Sequence, residues 1–261
     1  MLLRDPRTIF NALAENYDAY RPHYPSEALL FLVTLAELDR TSTVADIGTG
    51  TGRLALALAR YVRLVYALDP ASQMLRKLEE NARNEGITGI QTIEASGEKT
   101  GLATDSIDLI TLAQSFHWMD KPVAVKEFAR ILRPNQPLVL LWNQSLDWKQ
   151  DYYQQINDCI KRLNPNYHGG ADIVSSAFPQ EISESGLFSS PEHYTFPFSI
   201  EYTAETYIGY LLSKSYIGVG IEKSKLPEFM MCVHEVLLDH FGNNRFTENY
   251  ETVVLAARSI E

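Results

Sequence analysis

The chain has 261 residues, 45% of them apolar and 21% charged, with a formal net charge of −10. That is the composition of an ordinary globular protein long enough for a full core. The acidity, with no lysine or arginine cluster, argues against nucleic acid as a partner.

Residues 1–25 are polar and aromatic and end in "YDAYRPHYP", where Pro22 and Pro25 set an extended or turning path. Ser26 is placed to cap a helix through "EALLFLVTLAEL". The pattern then alternates. "TVADIG", "LVYALD", "IQTIEA", "SIDLITLAQ" and "PLVLLWN" read as five short buried strands. Between them "GRLALALARY", "SQMLRKLEENARNEG" and "KPVAVKEFARIL" read as helices, the second stopped by Gly86, the third capped by Asp120 with Pro122 in its first turn. Short apolar strands alternating with helices imply a parallel sheet covered on both faces.

From about residue 148 the rhythm changes. "DWKQDYYQQINDCIKRLN" is predicted helical, "PNYHGGADIVSSAFPQ" turn-rich and "EHYTFPFSIEY" a strand. "AETYIGYLLSKSYI" and "LPEFMMCVHEVLLDHF" read as helices, the latter with an apolar face at Leu226, Phe229, Met230, Val233, Val236, Leu237 and Phe241. "YETVVLAARS" is the last strand. Residues 150–190 and 204–245 are expected to form a cap among the late strands. One domain over 1–261 is expected, with an N-terminal lid and helix at 1–40, a cofactor-binding core at 41–147, a cap and late-strand region at 148–249 and a final strand at 250–261.

The apolar run "LALALARYVRLVYALD" is broken by Arg60 and Arg63, so no membrane span is expected. "MLLRDPRTIF" has no apolar core and does not read as a secretory signal, which makes the cytoplasm the expected compartment. Cys159 and Cys232 lie far apart with no partner motif; they are expected as buried or half-buried thiols, with a single bridge between them as the other reading. The six histidines are scattered, and no metal site is expected.

The chemistry starts at "VADIGTGTGRLALALA", where Gly48, Gly50 and Gly52 pass a strand into a helix. Glycine costs backbone entropy, so a bare backbone there has a use: loop amides and the helix start can approach a ligand closely. Asp69, seventeen residues after Gly52, ends the next strand, where a carboxylate accepts ribose hydroxyls. A nucleoside-containing cofactor follows. "GTGRLA", from Gly50 to Ala55, also satisfies the dinucleotide frame, so the glycines alone leave NAD open. Charge favours S-adenosylmethionine, because Asp46, Asp69 and Glu98 suit a sulfonium and an ammonium better than a pyrophosphate.

"VADIGTGTG", "ALDPASQML", "EASGEKTGLATDSIDLITLAQSFHWMD" and "FARILRPNQPLVLLWN" resemble the successive motifs of class I S-adenosylmethionine-dependent methyltransferases, over roughly residues 10–145. "AQSFHW" and "YDAYRPHYP" resemble the small-molecule group that includes trans-aconitate methyltransferase-like proteins, methyltransferase type 11. The resemblance implies a doubly wound, Rossmann-like α/β fold. Its sheet would have seven mostly parallel strands, with "YETVVLAARS" antiparallel beside "EHYTFPFSIEY". It also implies roles. Asp46, Gly48, Thr49 and Gly50 would hold the methionine portion, and Gly52 would let the helix pack tightly. Asp69 and Pro70 would meet the ribose, and Met74 the adenine face. Ser96, Gly97 and Glu98 would meet the adenine edge, although the family commonly places its acid one step earlier. Gln114 would lie under the sulfonium, with Tyr17 also on the cofactor. "LRPNQ" departs from the usual Leu-Arg-Pro-Gly-Gly turn.

Each residue has a plainer reading as well. Asp46 could end a strand, Asp69 could cap a helix and Met74 could be core. Tyr17 and Arg21 could be a surface pair, and His117 with Trp118 could be packing. In the functional reading Arg21, His117 and Trp118 face a small-molecule acceptor, and Arg21 and His117 are the candidate catalytic residues. A carboxylate acceptor needs no base, and Arg21 would clamp it. A hydroxyl or amine acceptor needs one, and His117 would serve. Tyr152, Tyr153, Tyr207, Tyr210 and Tyr216 line an acceptor pocket or form cap core. An NAD-dependent oxidoreductase and a non-catalytic cofactor-binding protein stay open as alternatives, and the oligomeric state is not readable.

Overall fold

A computed structural model describes residues 6–167, 177–242 and 245–260. The start of "MLLRDPRTIF" and most of "PNYHGGADIVSSAFPQ" lie outside those residues. In chain order the elements are α1 (Pro6–Tyr20), α2 (Ser26–Leu35), β1 (Thr43–Ile47), α3 (Arg53–Leu58), β2 (Leu64–Leu68), α4 (Ser72–Asn84), β3 (Ile90–Ile93) and β4 (Leu109–Ala113). A single 3-10 turn at Phe116–Trp118 leads into α5 (Lys121–Ile131) and β5 (Pro137–Ser145). Then come α6 (Asp151–Leu163), α7 (Ala177–Glu184), β6 (Glu192–Thr203), α8 (Ala204–Leu212), α9 (Ser215–Gly218), α10 (Leu226–Phe241) and β7 (Arg245–Arg258).

The strands form one seven-stranded sheet in the order β3-β2-β1-β4-β5-β7-β6. β1 pairs in parallel with β2 and β4, β2 with β3, and β4 with β5, while β7 is antiparallel. The expected doubly wound fold is borne out. The chain divides into two compact units.

The glycine-loop unit comprises His23–Asn143, Ile173–Phe196 and Thr252–Glu261. Its central strands β1, β4 and the first part of β5 are buried on both faces, which is why they read as apolar runs, whereas the edge strand β3 is only half-buried. Side chains alternate between two cores. Ala45, Ile110, Leu138, Leu140 and Leu255 pack with Phe128 and Ile131 of α5. Val44, Leu109, Val139, Leu141 and Val254 pack with Leu54, Ala55 and Leu58 of α3. Gly86 ends α4 as expected. Its φ is +64°, its amide bonds the Arg83 carbonyl and the Ile87 amide bonds that of Ala82, a Schellman arrangement. Ser26 does not cap α2. Pro25 holds the cap position and the Ser26 hydroxyl turns to Glu27.

The tyrosine unit comprises Met1–Pro22, Gln144–Asp172 and Pro197–Glu251. Its core is aromatic. Tyr152, Tyr202, Tyr207, Tyr210, Phe229, Phe246 and Tyr250 pack together with Ile156, Val233 and Leu237. Of the apolar face expected on α10, Phe229, Val233 and Leu237 are buried, but Met230 is 41% exposed. The single helix expected over "AETYIGYLLSKSYI" breaks at Lys214, whose extended backbone (ψ 131°) separates α8 from α9. β7 starts at Arg245, earlier than the strand expected at 250–261.

The cysteine expectation is overturned. Cys159 of α6 and Cys232 of α10 are joined in a disulfide. The helices that carry them pack against each other across 73 residues of sequence, a proximity no local motif announces. Closing so long a loop removes entropy from the unfolded chain, a contribution of about 2–4 kcal/mol. Accordingly, Cys159→Ser with Cys232→Ser, or reduction, should lower the urea midpoint by the equivalent of about 2–4 kcal/mol. Unreduced, denatured protein should offer no thiol to an alkylating reagent.

Candidate functional site

In the glycine-loop unit, β1 runs into the loop at Gly48 and α3 leaves it at Arg53. Gly48, Gly50 and Gly52 all have positive φ. At Gly52 (φ +87°) a Cβ would also fall 2.5 Å from Leu78 Cγ, so side-chain space and backbone together demand glycine. At Gly48 a Cβ would fall 2.3 Å from Ser115 Cβ. Ser115 stands there because its hydroxyl donates to the Ile47 carbonyl (2.7 Å), clamping the end of β4 against the end of β1.

Two carboxylates organise this loop. Asp46 is 1% exposed, and its two oxygens accept from the hydroxyls of Thr49 and Thr111, each at 2.6 Å. Burial raises its pKa, and the two threonine bonds oppose that rise. Asp69 is 7% exposed. Its Oδ2 accepts from the Gly50 amide (2.9 Å) and its Oδ1 from the Ala71 amide (2.8 Å). One side chain thereby braces the glycine loop and the start of α4. Burial pushes the Asp69 pKa up to about 6, the two amides oppose this, and the nearby Asp46 charge adds to it.

The acid-lined pocket expected from Asp46, Asp69 and Glu98 comes down to Asp69. Asp46 faces inward, and Glu98 Oε1 accepts from the Asp120 amide (2.8 Å). Gly97 is buried against Met119, and Ser96 pairs with Lys99 as an isolated bridge. Met74, 1% exposed, has the enclosure of a core residue. Pro70 is half-buried beside Asp69. Gln114 follows β4 with φ +63°, in the region that side chains rarely adopt; its amide bonds the Leu141 carbonyl and its Nε2 donates to the Asn143 carbonyl (3.3 Å). His117 and Trp118 sit half-buried on the 3-10 turn, their rings tilted at 5.3 Å.

Tyr17 and Arg21 belong to the tyrosine unit. The Arg21 guanidinium lies 4.9 Å from the centre of the Tyr17 ring and 5.8 Å from that of Tyr210, and it donates to the Ser213 carbonyl (3.3 Å). Its buried Nε has no partner among the described residues. Tyr152, Tyr207 and Tyr210 are core, while Tyr153 and Tyr216 are partly buried against it. Lys214 lies 4.5 Å over the Tyr210 ring. Burial works against its charge, but Tyr210, Tyr216, Tyr153 and Glu248 outweigh burial and hold its pKa well above the ordinary value.

Thr111, Ser115 and Lys214 were not among the residues expected at the site. The signals were faint: a polar residue at a buried strand position, the residue after a strand-end glutamine, and "SKS" inside a helical pattern. Among the described residues no three His, Cys, Asp or Glu side chains gather as a metal site, and no helix is long and apolar enough to cross a membrane.

A nucleoside-bearing ligand fits the glycine-loop unit on two observations. Asp69 uses only two of its roughly four acceptor positions on protein amides. The Thr51 hydroxyl, buried in the glycine loop, has no partner among the described residues. If Asp69 titrates as described, its folded pKa lies above its unfolded value, so ionisation costs stability as pH rises through 4 to 6. Asp69→Asn removes that titration. In urea unfolding the stability difference should move in the variant's favour by about 2 kcal/mol between pH 4 and pH 7. A difference that stays constant with pH would contradict the assignment.

Comparison with known proteins shows what these features resemble. The methyltransferase-domain family matches residues 45–140, from the middle of β1 to the middle of β5. An uncharacterized methyltransferase of Schizosaccharomyces pombe is 28% identical over 193 residues, which cover 72% of this chain and 74% of that one. A probable S-adenosylmethionine-dependent methyltransferase of Saccharomyces cerevisiae is 26% identical over 185 residues, 63% of each chain, so the match spans less than two thirds of that relative. Among solved structures, a putative type II methyltransferase from Anaeromyxobacter dehalogenans superposes with a TM-score of 0.65. It is 18% identical and covers 92% of this chain and 98% of its own, a likeness of fold.

Proposed function

We propose that this chain, which belongs to the S-adenosylmethionine-dependent methyltransferases through residues 45–140, methylates a small molecule on a carboxylate oxygen. Membership in that family sets aside the nicotinamide alternative, and the cofactor is S-adenosylmethionine. When bound, it supplies a methyl group already activated on a sulfonium. The chain's own task is to bind, orient and exclude water, which is catalysis by proximity.

Asp69 accepts the ribose hydroxyls with its remaining lone pairs, while its bonds to Gly50 and Ala71 hold the carboxylate still. The loop from Gly48 to Gly52 offers bare backbone to the methionine portion. Asp46 acts on that portion indirectly, by fixing Thr49. Ser96 and Gly97 offer backbone to the adenine edge. Gln114 and His117, after β4, face the transferring group and the acceptor, with Trp118 beside them. Within the tyrosine unit, Arg21 is the group suited to a carboxylate. The observation that carries the carboxylate reading is the Arg21 guanidinium, whose buried Nε has no partner among the described residues. A carboxylate is ionised at neutral pH and needs no base, so His117 orients the acceptor and holds no proton for the transfer.

The test is incubation with methyl-labelled S-adenosylmethionine and a panel of small carboxylic acids, alcohols and amines. The expected product is a base-labile methyl ester. Base-stable label in an ether or amine would refute carboxylate methylation, and cofactor binding without turnover on any acceptor would favour the non-catalytic alternative. Asp69→Ala should weaken S-adenosylhomocysteine binding at least tenfold in calorimetry with an unchanged circular dichroism spectrum. On the acceptor so found, His117→Ala should lower turnover by about tenfold or more while leaving that affinity within about twofold.

A further inference from the structure

The tyrosine unit holds hydrogen-bond donors that lack acceptors. Arg21 and Lys214 both lie within 6 Å of the centre of the Tyr210 ring. Neither has an ion-pair partner among the described residues, in a chain whose net charge is −10. The buried carboxylate of this unit, Glu248, favours the Lys214 charge from a distance but makes no ion pair with it; its oxygens accept from Ser145 (2.5 Å) and from the Tyr250 hydroxyl (2.7 Å). Tyr207 lies tilted beside the same ring, centroids 5.9 Å apart, and its hydroxyl is buried with no partner among the described residues. The hydroxyl of Tyr152 is in the same condition, and so is Arg21 Nε.

Buried donors are nearly always satisfied, and two cations gathered on one ring repel each other. An aromatic face offsets part of the charge but supplies no lone pair. What this cluster lacks is a compact group made of acceptors. The helix break at Lys214 fits that purpose. It costs the continuity of α8 and α9 and sets the ammonium over Tyr210, and the same break is pinned by Arg21 through the Ser213 carbonyl.

We infer that Lys214 and Arg21 together form an anion-binding site within the tyrosine unit, built on Tyr210, that takes a carboxylate or a phosphate group of a small molecule. This rests on the methyltransferase reading for its meaning, but the binding itself is separately measurable. Lys214 is a specificity-determining binding residue. The guanidinium offers a planar fork and the ammonium a second point of charge, so one anionic group bridges the two.

The experiment titrates the full chain with glutarate and, in a separate arm, with inorganic phosphate, at ionic strength matched with chloride. S-adenosylhomocysteine is titrated in parallel. Saturable binding of glutarate or phosphate is expected, weakened at least tenfold by Lys214→Met and by Arg21→Gln and largely retained in Lys214→Arg. S-adenosylhomocysteine affinity should stay within about twofold in all three variants. Binding of glutarate alone identifies a carboxylate group, and of phosphate alone a phosphate group. No saturable binding of either anion, or binding that survives both neutral substitutions, overturns the site. Failure of S-adenosylhomocysteine to bind the parent chain would instead strike at the cofactor reading and leave the anion result to stand or fall separately.

Discussion

The cofactor loop depends on one buried carboxylate. Asp46 sits at the end of β1 with no access to water, and a charge there is tolerable only because each oxygen has its own hydroxyl donor. Thr49 comes from the glycine loop and Thr111 from β4. The bonds therefore tie three segments to one point, and the loop cannot shift without stranding a buried acceptor. With the floor set, Asp69 fixes the other side through the Gly50 amide. Between them the two acids hold a backbone that, with three glycines in five residues, has little conformational preference of its own.

Much of this was legible in the sequence because it is local. The central strands β1, β4 and β5 announce themselves as apolar runs, since both faces of the sheet are covered there. Gly86 announces the end of α4 because a left-handed residue is needed there. Asp69 stood out by its spacing from the glycines. What was hidden is what depends on contacts distant in sequence. The Cys159–Cys232 bond joins faces of two helices, and no spacing rule encodes which helices pack together. Asp46 reads as a ligand-facing acid until Thr111, sixty-five residues on, is seen to claim it. Glu98 looked free for an adenine edge until the Asp120 amide took its Oε1. Ser26 follows a proline that had already taken the cap position.

The tyrosine unit shows a different economy. Its core is built from rings carrying hydroxyls, and a phenol can be buried cheaply along its body but not at its tip. Tyr202 and Tyr250 meet at their hydroxyls (3.2 Å), and Tyr250 reaches Glu248, so that end of the cluster satisfies itself. The end around Tyr207, Tyr210 and Lys214 does not. Charge and donors accumulate there in a core that would gain stability from plain aliphatic packing. That local disagreement with packing rules is the usual mark of a surface shaped by something other than folding.

The abutment of Gly48 and Ser115 carries a consequence for how this sequence is able to vary. The two positions share one volume, because the space a Gly48 side chain would need is filled by the Ser115 Cβ. Enlarging residue 48 strains a backbone held at φ +69° and also requires position 115 to shrink, and a shrunken residue there gives up the bond to Ile47 that closes β4 onto β1. That contact couples the two positions although sixty-seven residues separate them. A chain that drifts at either one alone loses the junction on which its glycine loop is mounted.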